Sequence, residues 1–186
     1  MKNGPGQYGI SRAAWLEAAA KILSSGNMSD VKIETLAKAL GISKSGFYWH
    51  FKNRDELLDC LLDFWVHEVT EVITENTELI TLDPITRLRR TAEIILDYHL
   101  VRYELGIRQW ALKNKKAAEV VALVNKRRMD FIGEALRELG FAGEDLKMRT
   151  MLFVVYHTWE SPMFADIPVE CRRKLIKRRL DPITSR

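Results

Sequence analysis

Between residues 43 and 54 the chain sets Ser43, Lys44, Ser45, Tyr48, Trp49, His50, Lys52 and Arg54 around two apolar rings, Phe47 and Phe51. Hydroxyls, an imidazole and three cations at this density are hydrogen-bond donors suited to nucleic acid. Lys44 can donate to guanine O6 and N7, Ser45 to a base or a phosphate, and Tyr48 and His50 to phosphate oxygens. If Phe47 and Phe51 point into a core, helical geometry leaves Ser43, Lys44, Ser45, Gly46, Tyr48, Trp49 and His50 around the outer arc. Three consecutive rings, Tyr48-Trp49-His50, cannot all face inward, so at least one is presented outward. Gly46 would let such a helix approach a duplex closely. Packing in a small core is the plainer reading for Tyr48 or Trp49 taken singly.

The elements that must position these residues are legible around them. Leu36–Leu58, LAKALGISKSGFYWHFKNRDELL, holds a short apolar-periodic segment, a glycine turn, a second short segment and the start of a long one. That is the layout of a helix-turn-helix, whose second helix is offered to the major groove. A first helix is predicted over 11–25, with Ser11 as N-cap and Gly26 as stop. Its face Ala14, Trp15, Ala18, Ala19, Ile22 and Leu23 has helical spacing, with Trp15 bracing the next two helices. A second helix is predicted over 33–40. Gly41 supplies the turn, Ile42 plugs the core, and Ser43 caps the third helix, which runs to about residue 50. Residues 1–9 read as a flexible arm.

Charge supports the same region. Residues 1–54 hold eight Lys/Arg against three Asp/Glu, a surplus of five in a chain whose net charge is +4. The basic excess therefore sits where the helix-turn-helix sits, as a phosphate-facing surface requires.

The stretch GISKSGFYWHFKNRDELL resembles the DNA-binding signature of the TetR family of transcriptional repressors, and the likeness extends without gaps over Ser11–Leu62. The resemblance implies base-reading roles for Lys44, Ser45, Gly46 and Trp49. It implies phosphate contacts for Tyr48, His50 and Arg54, with Ser43 and Lys52 beside them. Two departures stand out. Lys32 occupies a position where the family commonly has a capping Thr; it loses the cap but can reach phosphate through its ammonium. Gly46 is smaller than the Thr often found there.

The rest of the chain reads as further helices. Strand-like alternation is absent and Gly and Pro are scarce, so the fold class is all-α: an N-terminal helix-turn-helix domain over 1–54 and a larger helical domain over 55–186. Long helices are predicted over 54–75, 84–103, 117–139 and 144–160, with a shorter one over 104–112 and a last one over 168–180. Asp83-Pro84 is a start signal. Ser161-Pro162 and Asp181-Pro182 are stops. Residues 151–156, MLFVVY, are apolar all round, so both sides must be covered, one by its own domain and one by a second subunit. The TetR resemblance likewise implies a homodimer through the helix over 144–160 and the last helix, each subunit reading half of a near-palindromic operator.

The same resemblance implies a small-molecule effector in the larger domain. Trp65, His99, Tyr103, Trp110, Phe131 and Tyr156 are the candidate lining residues, with His157 also considered; taken singly, most of them read as core. Cys60 and Cys171 have neither metal-ligand spacing nor a disulfide framework. No nucleophile–base motif, glycine-rich phosphate loop or close carboxylate pair occurs, so no enzyme activity, metal or cofactor is expected. No apolar run approaches the ~20 residues of a membrane span, and no secretion signal is visible. The expectation is a cytoplasmic, ligand-responsive repressor. Its rivals are a helical enzyme that keeps the helix-turn-helix as a vestige, and an adaptor that binds protein through Trp49.

Overall fold

The structure is a computed structural model that describes residues 10–24 and 28–185. The arm over 1–9 and the stop at Gly26 lie outside these. Among the described residues every regular element is helical. The α-helices in chain order are α1 (Arg12–Ser24), α2 (Ile33–Ala39), α3 (Ser45–Tyr48), α4 (Arg54–Val66), α5 (Val72–Thr74), α6 (Thr77–Thr81), α7 (Pro84–Asp97), α8 (Glu104–Ala111), α9 (Lys115–Glu138), α10 (Gly143–Met163), α11 (Val169–Lys174) and α12 (Ile176–Thr184), with a 3-10 turn at Met28–Asp30. The all-α expectation holds over the described chain.

Two apolar clusters organise the molecule. The first joins Trp15, Leu23, Leu36, Phe47 and Phe51 to Leu61 and Trp65 on α4, and continues to Ile107 on α8 and Val124 on α9. The packing is thus unbroken from the first helix to the middle of α9. The second cluster, built on Leu88, Leu96, Leu136, Phe153 and Leu180, holds α7, α9, α10 and α12 together.

Several helix boundaries differ from the sequence expectation, each for a local reason. The helix expected over 54–75 is interrupted by a π turn, His67–Glu71, between α4 and α5. A π turn takes one residue more than an α turn and rotates the residues after it. Ile73 is buried after it, while its neighbour Val72 is exposed. The helix expected over 84–103 starts as predicted, with Asp83 Oδ1 accepting from Thr86 N at 3.0 Å. It stops at Asp97, and His99 takes a left-handed backbone, φ 50°. α10 runs through Pro162 to Met163, past its predicted stop. A proline in the final turn breaks little of the ladder. The last helix divides at Leu175 into α11 and α12, and α12 passes through Pro182 to Thr184. α6 has no counterpart in the sequence expectation; Asn76 Oδ1 caps it by accepting from Leu79 N at 3.0 Å.

One close approach fixes how the body meets the head. α8 packs on both α1 and α9. A Cβ built on Gly106 of α8 would lie 2.3 Å from the backbone oxygen of Leu23, at the end of α1. Glycine is what allows the two helices to touch there.

Candidate nucleic-acid interface and internal cavity

The head is built around Trp15, fully buried, whose ring meets Phe47 edge-on at 5.4 Å between centroids. Phe47 in turn lies 5.2 Å from Phe51. Gly41, φ 68°, turns the chain from α2 to α3, and Ile42 N donates to Ala37 O at 3.0 Å. These contacts set the orientation of α3. Phe47 and Phe51 are inward, the condition on which the expected outer arc depended.

The outward residues form one exposed face. Trp49 is 87% exposed and Tyr48 59%, so two of the three consecutive rings face out. Ser43, Lys44 and Ser45 are exposed beside them. α3 is one turn long, shorter than expected. Its N-cap is Lys44, with no side-chain cap bond, and Ser43 Oγ instead pairs with Ser45 Oγ at 2.6 Å. Lys44 Nζ donates to Glu34 Oε1 across the turn, and this ammonium holds the Glu34 carboxyl below its usual range. Both side chains are more than half exposed, so the pair is weak enough to exchange for a phosphate or base contact.

Other expected contact residues have different surroundings. Gly46 is half-buried, and a Cβ there would meet Ile42 Cδ1 at 3.2 Å and Trp15 Cζ2 at 3.9 Å. Its missing side chain makes room for the head's own core. His50 Nε2–H donates to Ile10 O at 2.7 Å, tying α3 to the segment before α1. Arg54 Nε donates to Val31 O at 2.7 Å and Nη2 to Met28 O at 3.0 Å, so its guanidinium closes the connector between α1 and α2. A signal for this existed in the sequence: a cation in a helix's first turn opposes the helix dipole unless other acceptors hold it. Lys32 is exposed at the N-cap of α2, with no side-chain cap bond, and Lys52 is exposed before α4.

The larger region contains a cavity among α5, α7, α9, α10 and the π turn, with about 450 Å³ of space between its side chains, part of it open to solvent. Ile73, Ile95, Phe131, Phe153 and Val154 give it apolar walls; Thr70, Thr91, Arg128, His157 and Thr158 are its polar members. Of the six residues expected to line a pocket, Phe131 does so. Trp65 and Tyr103 are buried in the first cluster, Trp110 packs against its edge, and His99 is exposed beyond the end of α7. Tyr156 accepts from Arg179 Nη1 at 3.3 Å, away from the cavity lining. The expected helix over 84–103 would have carried His99, and the early end of α7 at Asp97 removes it from that helix. Thr91 carried a legible signal, a hydroxyl inside the apolar stripe Leu88–Ala92–Ile95; Arg128 and Thr70 carried none.

Arg128 links the cavity to α8. Its Nη1 and Nη2 donate to the two carboxylate oxygens of Glu104 at 3.0 and 3.1 Å. Arg108 Nε donates to the same Oε1 at 2.8 Å and its Nη2 to Asn125 Oδ1 at 2.8 Å. Glu104 is wholly buried, and two guanidiniums with bonded geometry offset the cost of burying its charge. Among the described residues no three His, Cys, Asp or Glu side chains converge as a metal site would need. No described helix is long and apolar enough to cross a membrane.

Comparison with known proteins places the head. Residues 16–61 match the sequence model for bacterial regulatory proteins, tetR family. The chain is 28% identical over 85 residues to the HTH-type transcriptional regulator EthR of Mycolicibacterium smegmatis, covering 46% of this chain and 39% of that protein. It is 35% identical over 54 residues to the tetracycline repressor protein class C of Escherichia coli, covering 29% of this chain and 25% of the repressor. Each match spans less than half of the relative's length. The fold resembles that of PfmR, a TetR family transcriptional regulator from Thermus thermophilus. The TM-score is 0.71 at 21% identity, over 92% of this chain and 96% of PfmR.

Proposed function

Because this chain belongs to the TetR family of bacterial regulatory proteins, we propose that it is a sequence-specific DNA-binding repressor, acting in the cytoplasm as a homodimer and released from its operator by a small molecule. Residues 1–54 are the reading head and 55–186 the effector and dimerisation part. The observation that carries this reading is the α3 surface. A tryptophan 87% exposed, flanked by Ser43, Lys44, Ser45 and Tyr48, is a surface built for contact with a partner. The charge surplus of the first 54 residues makes that partner a polyanion.

Dimerisation is supported by α10. Met148, Met151, Leu152, Val155 and Met163 are exposed on it at helical spacing, opposite the face that carries Phe153 inward. From the closing helices, Leu175 is exposed, while Ile176, Leu180 and Ile183 are buried within the subunit. The α10 stripe is therefore the main part of the interface. Two-fold symmetry then sets the half-sites about one helical turn apart, ~34–36 Å, or a multiple of it. Release works through differential affinity: an effector that favours a body conformation with mismatched heads lowers operator affinity. The unbroken cluster from Trp15 to Val124 and the Arg128–Glu104–Arg108 network give that coupling a physical route.

Selection of bound sequences from a random duplex pool tests the reading. A near-palindromic site whose affinity falls steeply with salt is the expected result. An unenriched pool with salt-independent binding would overturn it and favour protein binding through Trp49. The helical-enzyme alternative has no support from the site: its polar groups include no nucleophile beside a base.

A further inference from the structure

Glu34 is one of three acids set against eight Lys/Arg in residues 1–54, and it is bonded to a cation of the expected contact set. Lys44 Nζ donates to Glu34 Oε1, joining the N-cap of α3 to the first turn of α2. The Glu34 carboxyl lies below its usual range because Lys44 bonds it; its own backbone N–H adds to this, and the Lys32 charge adds further. The carboxylate is therefore ionised at neutral pH, and it faces two of the cations expected at DNA. Arg54 is the contrast: its acceptors are the neutral carbonyls of Met28 and Val31, which leave its charge uncancelled.

The pair contributes little to stability, since both side chains are more than half exposed and solvent screens them. Its consequence lies in what Lys44 offers a duplex. Attraction to phosphate follows charge and is blind to sequence. A base edge is read by hydrogen bonds instead. An ammonium has three N–H donors, and Glu34 takes one. The paired Lys44 is thus nearly neutral toward phosphate, yet it keeps donors for guanine O6 and N7. Moving Lys44 onto a phosphate would also leave the Glu34 carboxylate unpaired against a polyanion.

We propose that Glu34 is a specificity-determining residue, whose carboxylate cancels the charge of Lys44 toward the phosphate backbone and holds the ammonium for a base edge. Lys44 makes the contact and Glu34 positions it. Every sequence without the matching base then loses the contact without gaining a phosphate in exchange.

The proposal rests on the DNA-binding reading of the head. Fluorescence anisotropy on the whole chain at pH 7 would compare a selected operator with a scrambled duplex of equal length. The proteins are the native chain, Glu34→Gln, Lys44→Ala and the double variant. Glu34→Gln should bind scrambled duplex more tightly than the native chain does. For a fourfold rise in salt its affinity should fall about 3.5-fold further than the native value, the effect of one added phosphate contact. Its operator-to-scrambled ratio should drop about tenfold. With Lys44→Ala already present, Glu34→Gln should leave the salt dependence unaltered. An unchanged slope and ratio in Glu34→Gln overturns the proposal. So does equal weakening on both duplexes, the mark of a structural tie, or the same steepening with and without Lys44, the mark of bulk repulsion. If the native chain prefers its operator while Glu34→Gln behaves identically, the role of Glu34 falls alone. If the native chain binds no duplex, the DNA-binding reading falls and the role of Glu34 falls with it.

Discussion

Lowering the pH from 7 to 5 should destabilise the native chain more than His157→Leu, and the size of the difference comes from the burial of one ring. In the folded chain desolvation pushes the His157 pKa down from 6.5 to about 4; the bond to Phe153 opposes this and the nearby Arg179 charge adds to it. The unfolded chain titrates near the ordinary value. Between pH 6.5 and 4 the unfolded chain therefore holds the extra proton, so stability falls as pH drops through that window. Above it the group contributes no slope, and below it the loss levels off. Linkage gives a loss of about 2 kcal/mol from pH 7 to pH 5, and about 3 kcal/mol when complete. Urea unfolding followed by circular dichroism at both pH values, at one fixed protein concentration, measures it. Carboxylates shared by both proteins contribute equally, so the difference isolates His157. An equal loss in the two proteins would refute the neutral, buried ring.

Arg54→Ala should destabilise the fold by about 2 kcal/mol in urea unfolding, because two charge-assisted bonds to the Met28 and Val31 carbonyls are lost; an unchanged midpoint would return Arg54 to a purely surface role. Gly106→Ala should cost about 1–3 kcal/mol through the clash with the Leu23 backbone, read as a lowered Tm. Leu152→Glu should convert dimer to monomer in sedimentation with helicity intact, since the residue is exposed on α10 and a buried charge at an apolar seam is costly; an undisturbed dimer would place the interface elsewhere. Lys44→Ala should cost about 1–3 kcal/mol of operator affinity and relax preference at one base position. Unchanged preference in a repeated duplex selection would mean that Lys44 touches phosphate only.

The head was the most legible part of the chain. Its helices are short, its turn has a glycine at a left-handed position, and its apolar rings Phe47 and Phe51 are buried as the sequence reading supposed. Individual side-chain partners were less legible. His50 and Arg54 looked free for phosphate because their acceptors, Ile10 O, Met28 O and Val31 O, are backbone atoms up to 40 residues away. Backbone carbonyls leave no residue-type signal in a sequence. Gly46 illustrates the same limit: whether a missing side chain serves the duplex or the core depends on where Ile42 and Trp15 lie.

By itself the sequence determined the helical class, the helix-turn-helix, its inward rings and the basic surplus around it. These depend on local periodicity and on charge, which neighbours in the chain carry between them. Only the tertiary structure decided the cavity. The π turn after α4 rotates Thr70 and Ile73 to its wall, and the left-handed His99 takes that residue away from it. It also brought Arg128 from α9 onto Glu104 of α8 and left one ring nitrogen of the buried His157 without a protein partner. Such a site is the meeting of helices distant in sequence. Its shape depends on one extra residue in a turn or one early helix end, which a periodic pattern does not encode.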